Sequence, residues 1–161
     1  MEQDLSTNVS RTIQTKLVLP PDTNHMGTIF GGKILALIDE IAAIAAMKHS
    51  KTEVVTASID KVNFLSTVKL GDILTFEGFV ISTGRTSMEV YVKVVCEHLD
   101  TGQRRLTTDS FLTMVALDNS GKPTPVPGVT PETDEEKELY KQSKDRRERR
   151  LSARRSRKTD I

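Results

Sequence analysis

The chain has 161 residues, 37% of them hydrophobic and 28% charged, which fits one soluble globular domain with or without a tail and excludes a fibrous or wholly disordered chain. Its 23 Lys and Arg nearly balance 22 Asp and Glu, yet residues 143–158 hold nine basic and two acidic side chains, a net of +7 that leaves the body at −6. The single Cys96 excludes an intrachain disulfide and a multi-cysteine zinc site and fits a reducing compartment.

The start, MEQDLSTNVS, is polar and acidic, unlike a signal peptide. Residues 12–19 alternate loosely and read as a strand ended by Pro20-Pro21, which cannot donate ladder hydrogen bonds. A loop, DTNHMGTIFGG, follows over 22–32. Residues 33–49, rich in Ala, Leu, Ile and Met and free of Gly and Pro, predict a helix of about four turns. Apolar residues lie nearly all around it, so burial on most sides is expected. The apolar stretch 34–47 is too short to span a bilayer and contains Asp39 and Glu40, so a cytoplasmic protein is expected.

Four β-type runs come next, at 54–64, 73–81, 87–98 and 106–117, punctuated by Leu70-Gly71-Asp72, Thr83-Gly84-Arg85 and Asp100-Thr101-Gly102. In the third, Met88, Val90, Val92, Val94 and Cys96 share one face, and Glu89, Tyr91, Lys93 and Glu97 the other. Short turns between consecutive strands predict an antiparallel meander, and the whole reads as an α+β sheet curled around a helix. After Asp118 the segment NSGKPTPVPGVTPE is expected to leave the domain, and residues 132–161 are charged, able to form a helix, and too poor in apolar residues for a core.

Chemistry points first to the helix. Asp39 has Leu35, Ala36, Ala42 and Ala43 as its i±3 and i±4 neighbours, and an ionised carboxylate among them is costly unless paired. Asp39 and Glu40 point about 100° apart and cannot share one environment. Either they reach solvent or cap a partner, or one is a general base tuned by its surroundings. Gly27, Gly31 and Gly32 precede the helix, whose N-terminal N–H groups suit an oxyanion, although such glycines also serve tight strand-to-helix connections. The run from Gly27 to Lys33 matches most of a P-loop, but Ile34 stands where Ser or Thr must bind magnesium, and no alternating β/α pattern follows. No GxSxG or GxGxxG is present. His25, His49 and His98 show no metal-ligand spacing, and Cys96 with His98 is an isolated pair, so no metal is expected.

Together, LPPDTNHMGTIFGGKILALIDEIAAIAAMKHS, VVTASIDKVNFLSTVKLGDILTFEGFV and TGRTSMEVYVKV resemble the hotdog-fold acyl-CoA thioesterases, within them the bacterial acyl-CoA hydrolases. The resemblance covers about residues 8–127, taken as the hotdog thioesterase domain, with 128–161 as a charged, basic C-terminal tail. It implies a hotdog fold, an antiparallel β-sheet wrapped around one long central helix, whose subunits pair into a continuous sheet. It also implies active sites across that interface, a dimer at least, and a hexamer built as a trimer of dimers. Carried over residue by residue, the catalytic aspartate falls on Asp39 and its partner asparagine, from the opposite subunit, on Asn24. Thr56 falls where the attacking water is supported. Gly84, Arg85, Thr86 and Ser87 fall on a segment near the coenzyme A nucleotide, with Arg85 as phosphate contact. Backbone N–H groups at Gly31 and Gly32 then serve the oxyanion.

The resemblance implies hydrolysis of acyl-CoA to a free acid and coenzyme A, which is part of substrate and product, so no separate cofactor is expected. Whether Asp39 acts as base or attacks directly stays open. The rivals are a hotdog enoyl-CoA hydratase and a non-catalytic acyl-CoA-binding regulator. The hydratase pattern places a histidine five residues after the aspartate, where this chain has Ile44. The tail lacks aromatics after Tyr140 and is expected to solubilise or pack on an acidic oligomer surface rather than bind nucleic acid.

Overall fold

The computed structural model describes residues 3–159; the first two residues of the polar start and Asp160 and Ile161 of the expected tail lie outside the described residues. The elements run β1 (Leu5–Ser6), α1 (Thr7–Ser10), β2 (Thr12–Leu17), α2 (Gly31–Ser50), β3 (Glu53–Phe64), β4 (Ile73–Thr83), β5 (Ser87–Glu97), β6 (Arg104–Leu117), β7 (Val129–Thr130), α3 (Asp134–Lys141) and α4 (Ser143–Thr159). Among the described residues no helix is long and apolar enough to cross a membrane.

The main sheet is antiparallel with strand order β2-β4-β5-β6-β3, and α2 lies against it as the antiparallel-sheet-and-long-helix architecture predicts. The expected meander holds only for β4 to β6. β3 pairs with β6 at the far edge, not with β4, because residues 65–72 form a connection long enough to carry the chain across the sheet. Met88, Val90, Val92, Val94 and Cys96 are all buried against the helix side, as their alternation predicts. At Gly78 in β4 the helix packs close against the strand. A Cβ there would lie 2.8 Å from the Ile41 side chain, so only a glycine lets α2 settle at this depth.

α2 is 20 residues long and takes Gly31 and Gly32 into its first turn, where backbone N–H groups need no intrahelical partner. It ends at Lys51 in the left-handed region (φ 58°), whose N–H donates to the Met47 carbonyl at 2.8 Å. Burial on most sides is not what the single chain shows. Ile34, Ile38, Ile41, Ala42, Ala45, Ala46 and His49 form one buried stripe, while Ala36 and Met47 are exposed and Leu35 and Ala43 half-buried. One sheet can wrap only one side of a helix.

The segment after Asp118 does not leave the domain. Thr124 and Val126 donate to the carbonyls of Ala116 and Arg85, Val129 is buried, and β7 pairs in parallel with β1. Both α3 and α4 follow from the helix-forming tail, but they fold back on the outer sheet face. There Arg11 stacks on Phe79 (4.5 Å), Phe79, Tyr91 and Phe111 form a ring ladder with centroids 5.8 and 5.0 Å apart, and Arg146 closes it over Phe111 at 4.1 Å. Beneath α4, Glu89 is 3% exposed and receives Arg146 (2.6 Å) and Arg150 (2.7 Å). Glu136 of α3 is 2% exposed and receives Arg11 at 2.7 Å. Charge pairing and cation–π contact hold down a tail too polar to do so by apolar packing.

The returning segment also creates a titratable contact. His49 is fully buried at the end of α2, its Nε2 2.8 Å from the Pro127 carbonyl oxygen, while its Nδ1 has no partner. Burial pushes its pKa below the usual 6.5, against the opposing pull of the Pro127 carbonyl and Asp4. A histidine whose folded pKa is depressed leaves the unfolded chain binding more protons, so its stabilising effect is complete above about pH 6.5 and is lost as pH falls below it. We expect the thermal midpoint to fall on acidification from pH 7.5 to 5.5. His49→Gln should flatten that slope even if its midpoint is lower throughout; an identical slope in variant and wild type would assign the acid sensitivity elsewhere.

Candidate active site

α2 and β3 bring two of the expected residues together. The Thr56 hydroxyl donates to Asp39 Oδ1 at 2.7 Å, leaving Oδ2 for another proton donor. Asp39 is half-buried, next to Ile38 at the margin of the buried stripe of α2, while Thr56 is exposed. Just beyond Thr56 the β3–β6 register shifts, with Ala57 unpaired. Such a bulge re-aims the side chains beside it, which lets Thr56 lean onto the helix.

Asn24 is built into its own loop. Its Oδ1 accepts the N–H groups of Met26 (2.9 Å) and Thr28 (3.2 Å), and its Nδ2 donates to the Thr28 hydroxyl at 2.9 Å. These bonds fix the plane of the amide and leave one Nδ2 hydrogen for a ligand. No hydrogen bond joins Asn24 to Asp39 within the described residues. The loop is itself anchored twice. Leu70 N–H donates to the Gly27 carbonyl and Ile29 N–H to that of Val68, and buried Asp22 takes Lys16 (3.0 Å) and Lys33 (3.4 Å). The Leu19 N–H and Lys16 hold the Asp22 carboxyl below its usual pKa.

Gly31 and Gly32 open α2 behind Phe30, which caps with no side-chain hydrogen bond, so their N–H groups are not taken by a cap. A Cβ on Gly31 would lie 3.2 Å from the Phe64 ring, whereas Gly32 faces open space. Gly84 to Ser87 form the β4–β5 turn, closed by a 2.9 Å bond from Gly84 N–H to the Ser87 carbonyl, at the end of the sheet where Thr56 pairs with Met114 and Met114 with Met88; among the described residues the turn makes no hydrogen bond to Asn24 or Asp39. Arg85 is exposed.

Sequence reasoning missed what stands over that turn. Lys144 and Arg147 of α4 line a cleft of about 180 Å³ with Gly84, Ser87 and Thr113. It missed Thr28 as the residue that holds Asn24, and it missed Asp72 beside Cys96 and His98. No spacing signal announces any of these, since each partner is distant in sequence or is one threonine among many.

The thioesterase superfamily profile matches residues 26–103. An acyl-CoA thioester hydrolase of Bacillus subtilis, YkhA, is 51% identical over 131 residues, spanning 81% of this chain and 76% of that one. Human cytosolic acyl coenzyme A thioester hydrolase is 39% identical over 132 residues, but the chain spans only 35% of its length. A hexameric apo acyl-CoA thioesterase superposes with TM-score 0.92 at 63% identity, covering 94% of this chain and 97% of that one. The Staphylococcus aureus acyl-CoA hydrolase in complex with butyryl coenzyme A, coenzyme A and coenzyme A disulfide superposes with TM-score 0.92 at 47% identity, covering 97% and 95%. Structures also exist of that enzyme with single alanine replacements of an asparagine, an aspartate and a threonine.

Proposed function

The chain belongs to the thioesterase superfamily and is an acyl-CoA thioester hydrolase, and we propose that Asp39 activates the attacking water while Asn24 of a second copy binds water or carbonyl. The observation that carries this reading is the 2.7 Å Thr56–Asp39 hydrogen bond, which fixes one carboxylate oxygen and leaves the other to take a proton. The three residues replaced in the Staphylococcus enzyme support it. They are spaced by 15 and 17 residues, the same spacing as Asn24, Asp39 and Thr56.

The chemistry asks for little more. A thiolate leaving group has a conjugate acid near about 8.5 on the cysteine scale, so it departs without a strong general acid. The site needs a base for water and donors for the tetrahedral oxyanion. Asp39 supplies the first. The uncapped N–H groups of Gly31 and Gly32 supply the second, aided by the partial positive charge of the helix start. No cofactor is needed. Gly84 to Ser87, with Arg85, would receive the phosphates of the coenzyme, whose charge a guanidinium pairs in two hydrogen bonds.

Assembly completes the site. β3 is a 12-residue edge strand with Val55 and Phe64 exposed, and α2 exposes Ala36 and Met47, so pairing two β3 edges would cover apolar surface. In such a pair Asn24 of one copy would serve Asp39 of the other, and three such dimers would give a hexamer like that of the related thioesterase. A cytoplasmic location accords with the cytosolic relative. Arg146 and Arg150 pair with Glu89, which supports a role of the tail in the fold.

Thiol release from acyl-CoAs, from acetyl to palmitoyl, tests the reading. We expect hydrolysis that varies with chain length. Tight binding without thiol release would make the protein an acyl-CoA sensor, and formation of 3-hydroxyacyl-CoA from an enoyl-CoA would make it a hydratase.

A further inference from the structure

Asp72, at the start of β4, meets Cys96 and His98 at the end of β5, where one ligand atom from each lies within 4.8 Å of the others. Asp72 Oδ1 accepts His98 Nδ1 at 2.9 Å, and Oδ2 accepts Cys96 Sγ at 3.5 Å and the Lys69 N–H at 2.8 Å. Asp72 and Cys96 are buried, while His98 is half-buried beside a cleft of about 920 Å³ lined also by Ser66, Leu99 and Gln103. Arg105, opposite Cys96 in the ladder, directs its guanidinium to Gln103.

We propose that Asp72, Cys96 and His98 form a binding site for one thiophilic divalent cation of the zinc class. The donor set, one thiolate, one imidazole nitrogen and one carboxylate oxygen, is a zinc set; Asp72 and His98 line the cleft while Cys96 is buried, so three protein ligands leave the fourth position to water from the cleft side. Thiolate and carboxylate neutralise a divalent ion, so the filled site carries no net charge into its buried surroundings. On binding, the thiol proton passes to solvent and His98 ligates through Nδ1 as the neutral Nε2–H tautomer. The Lys69 N–H already orients the carboxylate from behind, as the outer shell of a metal site does. The site shares no residue with Asn24, Asp39 or Thr56 and is independent of the hydrolase reading.

Cobalt(II) titration of untagged, chelator-treated protein tests the proposal. Cys96 is the one cysteine of the chain, so a sulfur-to-cobalt charge-transfer absorption identifies its thiolate as ligand without further assignment. We expect one cobalt per chain, displacement by zinc, and loss of the band in Cys96→Ser. Because that substitution is buried, His98→Ala serves as the second variant, with affinity expected to fall at least about tenfold. A rise in thermal midpoint on adding zinc should accompany binding and vanish in His98→Ala. Absence of the thiolate band in folded wild-type protein, or a band unchanged in His98→Ala, would overturn the proposal and leave the cluster a hydrogen-bonded clasp between β4 and β5.

Discussion

Replacing Asp39 with alanine should leave a folded protein whose turnover falls by about 10²–10⁴, the usual contribution of a positioned general base. Asp39 is half-buried and bonded to the Thr56 hydroxyl, so the change removes one hydrogen bond and little packing. Steady-state thiol release with matched circular dichroism separates loss of chemistry from loss of fold. We expect kcat to fall far more than KM rises, because the base acts in the transition state rather than in substrate binding. Wild-type turnover in the variant would remove Asp39 from the mechanism.

The second large effect concerns stability. Removing both guanidinium groups, Arg146→Ala with Arg150→Ala, leaves the Glu89 carboxylate, 3% exposed in the wild type, with the Ser82 hydroxyl as its remaining partner among the described residues. Burial alone would raise the Glu89 pKa, but hydrogen bonds and charge from Arg146 and Arg150 outweigh it and hold the pKa below normal. Breaking a buried pair of this kind costs about 3–5 kcal/mol. Urea midpoints at fixed protein concentration should show it, with the loss partly restored when Glu89→Leu is added, since the unpaired charge then disappears. A double variant as stable as wild type would mean that α4 contributes nothing to the fold.

The hydrophobic periodicities made much of this molecule legible. The alternation of Met88 to Cys96 and the Gly-free, Ala-rich run of α2 each report local geometry, and both emerge where the pattern places them. The long motifs around Asn24, Asp39 and Thr56 made the family legible as well, because they carry residues in fixed order at fixed separation.

The path of β3 to the far edge could not be read from its turn signals. A strand's alternation specifies its faces, whereas its neighbour depends on which edge is free when the sheet closes. The tail misled for a different reason. Composition says that residues 143–158 cannot make an apolar core, which is true, but burial there is driven by charge. Arg146 and Arg150 meet a glutamate more than fifty residues away, and no local pattern encodes such a pairing. Separation along the chain likewise hid Asp72 from Cys96, 24 residues on.

By itself, then, the sequence determined the faces of the strands, the central helix and the family, and singled out Asp39 as the candidate base, because periodicity and motif spacing are properties of contiguous chain. Only the tertiary structure decided that the basic tail closes the outer face over Glu89, that Thr56 reaches Asp39 across a bulge, and that Asp72 joins Cys96 and His98. Those contacts depend on where the chain returns, and that is set by the packing of the whole domain.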